Sequence, residues 1–219
     1  RDRTAIGQAP GGTWDWQVPN HAQSQFAMQA TSSGSAGRQI CIPPIVLGNT
    51  HTFSIWIKGT SSIGQFLFRG TLGQWFSEYS GSDNTAIAIR ATGGSNAGRN
   101  FASNSINYIA NNKIVSATIT PLNDDNWHNI IVVRTPTAVK AYIDGGSAVN
   151  LTGDTLTSSD ILKVKFLTAS YGNSGQWTGL VSNAALWTSD RSSEVANIYN
   201  NGEPQAVYTC LLYTSDAAD

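Results

Sequence analysis

Hydrolysis of a glycosidic bond with retention needs two carboxyl groups about 5–5.5 Å apart on one face of a site, one as nucleophile and one as acid. The chain has three glutamates, Glu78, Glu194 and Glu203, and none is paired with a second carboxylate in such a pattern. Glu78 is followed by Tyr79 and Ser80, with Asp83 lying beyond a glycine; Glu194 falls in a helical stretch and Glu203 after its stop. Only aspartate pairs are left to play that part. The histidines His21, His51 and His128 are scattered, without the i, i+4 or CxxC spacings that zinc sites use. His128 follows Trp127 at the head of a strand and reads as a residue that hydrogen-bonds at the strand face, not as a base. Gly93-Gly94 is a loop pair with no phosphate-binding pattern around it, and no nucleophile elbow is present. The expectation is therefore no catalytic residue and no enzyme activity.

Binding chemistry is better served. A sugar offers a C–H face to an aromatic ring and hydroxyls to planar amides or carboxylates. Of seven tryptophans, Trp75 stands in a polar run, Gly73-Gln74-Trp75-Phe76-Ser77-Glu78-Tyr79, and is the exposed candidate, with Glu78 beside it. Tyr108 with Asn107, near the long loop that holds Asn104, is the second. Trp56, Trp127 and Trp187 read as core residues, and Trp177 as packed under a loop. Calcium takes oxygen ligands, and the candidates are Asp83 with Asn84 and Asp124 with Asp125. The same residues are ordinary turn formers whose side chains bond the local backbone, and Asp144, in an Asp-Gly turn, is read as a turn former alone. No cofactor is required, and calcium is the one the sequence leaves open.

Composition narrows the partners. A net charge of −1 and a pI near 6.3 give no electrostatic grip on nucleic acid or an anionic membrane. Charged residues make up 12%, yet mean hydropathy is −0.18; Ser, Thr, Asn and Gly supply the polarity. This composition is common in extracellular and virion-surface β-proteins. No apolar run approaches the roughly 20 residues of a membrane helix, so no membrane insertion is expected. The expected partner is a glycan or a surface protein.

These residues must be held by strands. Segments of strand pattern recur between Gly, Pro, Asn and Asp signals at 25–30, 38–42, 51–58, 65–69, 74–79, 85–91, 106–110, 114–120, 127–134, 138–143, 161–168 and 178–186. Pro43-Pro44 is read as the stop of the second. In 51–58, Phe53, Ile55 and Ile57 alternate with Thr52, Ser54 and Trp56, so both faces carry bulk and an inner strand is expected. Residues 93–105 read as a long polar loop. One helix is predicted, capped by Asp190 or Ser192, with Val195, Ile198 and Tyr199 on one face and a stop at Asn200-Asn201-Gly202. Many strands with one late helix describe an all-β antiparallel sandwich.

Three stretches in order, Phe53–Lys58, Asn126–Arg134 with Val139–Gly145, and Gly179–Trp187 leading into Glu194–Tyr199, together resemble the laminin-G-like branch of the concanavalin A-like lectin/glucanase superfamily. The resemblance covers about residues 25–202 and implies a jelly-roll sandwich of two curved sheets. Its glycosidases carry a Glu-x-Asp-x-x-Glu strand, absent here, and its last strand often has Asp where Ser182 or Asn183 stands. The function implied is non-catalytic recognition, of carbohydrate first, on a secreted or virion-surface protein. A structural, subunit-joining domain of a phage or viral surface protein is the alternative, and a glycoside hydrolase comes third.

The domain is placed at 25–209, preceded by an N-terminal segment, 1–24, that joins the sandwich. The last ten residues, Cys210–Asp219, resemble a sequencing-library adapter translated in frame and are set apart as a non-native tail. Cys41 is then the one cysteine of the domain, and no native disulfide is expected.

Overall fold

A segment with bulk on both faces must be covered on both, and the chain meets this at 51–58 by placing seven of its eight residues out of contact with water. The computed structural model describes residues 14–17, 27–30, 40–60, 65–70, 85–91, 94–96, 99–111, 113–158, 162–167 and 179–203. The strands are β1 (Trp14–Gln17), β2 (Ala27–Ala30), β3 (Ile40–Leu47), β4 (His51–Lys58), β5 (Gln65–Gly70), β6 (Thr85–Arg90), β7 (Gly94–Asn96) and β8 (Arg99–Phe101). They continue with β9 (Ser105–Ala110), β10 (Lys113–Thr118), β11 (His128–Arg134), β12 (Val139–Ile143), β13 (Val149–Gly153), β14 (Leu162–Leu167) and β15 (Gly179–Trp187), and a single short helix, α1 (Val195–Tyr199), follows. Thirteen strands form one hydrogen-bonded order, β1-β2-β15-β4-β11-β12-β13-β10-β9-β6-β5-β14-β3, while β7 and β8 pair as a separate ribbon.

That order folds over at β13. Val149, Asn150 and Leu151 pair with Ala141, Lys140 and Val139 of β12, whereas Thr152 and Gly153 pair with Ser116 and Val115 of β10. The strand changes partners between Leu151 and Thr152, and the sheet becomes two layers facing each other. The core between them is drawn from both: Phe53, Ile55, Ile57, Ile130 and Val132 from one side, Ile87, Ile89, Ile106, Tyr108 and Val115 from the other. Gly153 makes the corner feasible. Its φ is +149°, and a Cβ there would lie 2.5 Å from the Ile114 carbonyl oxygen.

A second cluster covers the outer face of the β4–β11 layer, where Ile131, Val133, Tyr142 and Trp187 meet Val195 and Ile198 of α1. Asp190 Oδ1 accepts the Ser192 N–H at 2.8 Å in the turn that leads into the helix, but neither residue caps it as expected, because α1 follows Glu194 with no side-chain cap hydrogen bond. It ends at Asn200, whose φ of 49° is left-handed, a conformation Asn tolerates better than most residues. Tyr199 then stacks on Trp56, ring centroids 5.7 Å apart and 13° from parallel.

Two expectations about the strands need correction, and one strand was not expected. Pro43-Pro44 does not stop its strand, because β3 runs on to Leu47. It pairs with β14 alone, at the end of the order, and its pairing slips between Val164 and Phe166, opposite the prolines; an edge position and a bulge are where missing N–H donors are tolerated. The loop at 93–105 contains the β7–β8 ribbon, joined by Ser95↔Asn100. And β13, which holds the layers together, had no counterpart in the sequence reading. The segment 74–79 lies outside the described residues.

Gly145 sits in the β12–β13 turn at φ +67°, and a Cβ on it would overlap the Tyr199 ring. A left-handed non-glycine residue costs about 1–3 kcal/mol, and the clash adds to it. Gly145→Ala should lower the unfolding free energy by about 2 kcal/mol or more in urea titration; a variant as stable as the parent would mean that Tyr199 does not rest on this turn.

Candidate functional site

The titratable cluster that the fold assembles at its surface is Asp124, His128 and Asp144. The hairpin register places Ile130 opposite Ile143, so Asn129 faces Asp144 and His128 lies beside it. The backbone closes that corner: the Asp144 N–H donates to Asn129 O at 3.0 Å, and the Asn129 N–H donates to Asp144 Oδ1 at 2.7 Å. The other Asp144 oxygen lies 2.7 Å from His128 Nδ1. Asp124 Oδ1 lies 2.9 Å from His128 Nε2. Carboxylate oxygens accept, so both ring nitrogens serve as donors and the imidazole is charged. The bond to Asp144 first, and that to Asp124 after it, raise the His128 pKa against the opposing pull of burial.

Asp124 is further committed to its own turn. Its two oxygens accept the Asn126 N–H at 2.9 Å and the Asn126 side-chain N–H at 2.9 Å. The Asn126 side chain, followed by its backbone N–H and His128, holds the Asp124 pKa far below the usual carboxylate range. Asp125 is exposed at φ 63°, and its N–H donates to Gly59 O at 3.2 Å.

What can this arrangement do? A doubly bonded imidazolium has no lone pair, so it is neither a base nor a metal ligand. The Asp124 oxygens accept from three N–H donors, two of Asn126 and one of His128. Among the described residues, no group of three His, Cys, Asp or Glu side chains is arranged to hold a metal ion. The cluster is a clasp. It ties the segment before β11 to the turn after β12, with the Asp125 N–H adding the end of β4.

The expectation of Tyr108 and Asn107 as surface ligand residues is corrected. Both belong to β9, which is buried along its whole length. Tyr108, at 0% exposure, points into the core with Ile106 and Ala110. Asn107, at 1% exposure, is on the opposite face and donates from Nδ2 to Ser105 Oγ at 3.0 Å. On that opposite face, Ala86, Ala88 and Ile109 are closed over by Phe101, whose ring centroid is 4.8 Å from the Arg90 guanidinium carbon. Trp56 and Trp187 are buried as expected, and Trp127 is half-buried. Trp75, Glu78, Asp83, Asn84 and Trp177 lie outside the described residues. Sequence reasoning missed the pairing of His128 with Asp144, although the short turn at Thr135-Pro136-Thr137 already fixes which residues lie opposite.

Two antiparallel layers closed over one core, with a late helix on the outer face, define the lectin-like class of jelly-roll sandwich. The chain belongs to the concanavalin A-like lectin/glucanase superfamily: a laminin G family model of that superfamily matches residues 33–196. A search of curated proteins gave no match. Among solved structures, the chain is similar to domain 4 of an extracellular GH43 arabinanase from Geobacillus stearothermophilus, in complex with arabinotriose. The TM-score is 0.57 at 16% identity, over 86% of this chain and 82% of that one. It is similar also to a native heptameric SAP-like pentraxin from Limulus polyphemus, with TM-score 0.52, 13% identity, and 82% and 84% covered. The LG1-3 region of the laminin alpha2 chain gives TM-score 0.52 at 12% identity over 78% of this chain and 28% of that one. Domains of this fold often bind carbohydrates or proteins. Among the described residues, no helix is long and apolar enough to cross a membrane.

The clasp makes a pH-dependent contribution. A folded pKa above the unfolded value of 6.5 means that its stabilisation is full below about pH 6.5 and is lost as pH rises through the folded pKa. His128→Gln should cost about 1 kcal/mol at pH 6 and progressively less at alkaline pH. Guanidinium unfolding across that range checks it, and a cost independent of pH would mean that His128 is uncharged in the fold.

Proposed function

We propose that this chain is a non-catalytic recognition domain that binds carbohydrate, borne on a secreted or virion-surface protein. The observation that carries the reading is the likeness, over most of both chains, to an arabinanase domain seen with a bound trisaccharide. The placement of the glutamates supports a non-catalytic role. Glu194 is held at 2.7 Å by Arg191 at the start of the helix, and Glu203 follows the helix end, its N–H donating to Asn200 O. The ligand platform is Trp75 with Glu78, in the segment that joins β5 to β6. The competing reading, a domain that joins subunits, is favoured by the likeness to a pentraxin that is heptameric.

A glycan array probed with the full chain, in calcium and in chelator, separates these. Trp75→Ala should weaken binding about tenfold, the loss of roughly 1.4 kcal/mol. Binding that this variant leaves intact would remove Trp75 from the site. A chelator effect would point to calcium at Asp83 with Asn84 or at Asp124 with Asp125. Silence from folded protein, with self-association in sedimentation, would sink the glycan reading and support the joining of subunits.

A further inference from the structure

We propose that His51 and Tyr108 form an acid-released tie between the two layers of the sandwich. His51 opens β4, and its cross-strand partner is Arg134 at the end of β11. Tyr108 comes from β9 in the opposite layer. All three have 0% exposure, which is unusual for His and Arg.

Hydrogen-bond geometry fixes the state of the ring. His51 Nδ1 lies 2.7 Å from the Gly48 carbonyl oxygen, which only accepts, so Nδ1 carries the hydrogen. In a neutral ring Nε2 is then a lone-pair acceptor, and it meets the Tyr108 hydroxyl at 3.3 Å. The two rings lie 5.8 Å apart, 27° from parallel. A neutral imidazole in this one tautomer satisfies both partners.

A second proton reverses the bond to Tyr108: Nε2–H then donates, and the hydroxyl must turn its hydrogen away to accept. The same proton also puts a positive charge in the core beside the Arg134 guanidinium, itself held by a bond from Nη2 to Thr157 O at 3.1 Å. Among the described residues, the titratable or charged groups that meet the ring are Tyr108 from β9 and Arg134 from β11; the turn before β4 contributes a carbonyl alone. Burial, with the Arg134 charge adding to it against the Gly48 bond, holds the His51 pKa down at about 4.

The direction of the linkage is that of a depressed base. The unfolded chain binds the proton near pH 6.5 and the fold resists it until about pH 4. The contribution of His51 is therefore complete above pH 6.5 and is lost as pH falls through that window. His128 does not compensate, because it is charged in both states below pH 6.5. The layers should part first at the end where His51, Arg134 and Tyr108 meet, while the clasp at the other end still holds.

Urea unfolding of the full chain between pH 7 and pH 4 tests the proposal. The unfolding constant should rise by up to about tenfold per pH unit below pH 6.5, and His51→Gln should remove one proton's worth of that slope. In hydrogen exchange at pH 4.5, amides near His51 and Tyr108 should lose protection before those near His128. An unchanged slope in His51→Gln, or simultaneous loss at both ends, would overturn the tie. Should that variant fail to fold, the imidazole resonance of His51 in the parent chain decides: a midpoint near 4 supports the proposal and one near 6.5 refutes it.

Discussion

The two layers depend on five residues. A strand within a sheet pairs its backbone N–H and C=O groups with its neighbours, and β13 divides them, giving its first half to β12 and its second to β10. One strand thus belongs to both layers, and the sheet closes without an open edge on that side. The constraint falls on Gly153, where β13 passes so near the Ile114 carbonyl that no side chain fits. With β13 shared in this way, the two layers face each other over one core of Ile, Val, Phe and Tyr side chains.

Most of the strands were legible because their side chains follow a period of two with β-branched and aromatic residues, as in His51–Lys58, Ile130–Arg134 and Val139–Ile143. What failed to show was structure held by backbone pairing alone. β13 reads Val-Asn-Leu-Thr-Gly with Leu151 its one buried side chain, so no alternation announces it. The β7–β8 ribbon is three residues against three, rich in Gly, Ser and Asn, and its composition is that of a loop. β3 passes through two prolines because it lies at the end of the strand order, a fact of topology that no local window contains.

The candidate site divides in the same way. Tyr108 looked exposed because Asn104 and Asn107 stand near it, but parity along the strand puts it with Ile106 and Ala110, and these two are core residues. That much was available from spacing. The clasp was not visible from composition, since Asp144 served fully as a turn residue and His128 as a strand opener. Only the pairing of β11 with β12 brings them together, and only the conformation of the Asp124 turn supplies the third member. Charge and hydrogen bonding here join loops rather than perform chemistry, and the same is true of the salt bridge between Arg191 and Glu194.

The insertion of β15 between β2 and β4 has a consequence for how the molecule is made. β4 lies at the heart of its layer, yet its partners on either side, residues 128–134 and 179–187, are synthesised long after it. A ribosome emitting this chain therefore exposes an apolar strand with two bare edges until residues 128–134 are made, and with one until residues 179–187 follow. Pairings so distant in sequence form slowly and leave such edges open to other chains. Completion of this layer therefore waits on residue 187, and the yield of the sandwich in a cell rests on whatever shields Phe53, Ile55 and Ile57 until β15 arrives.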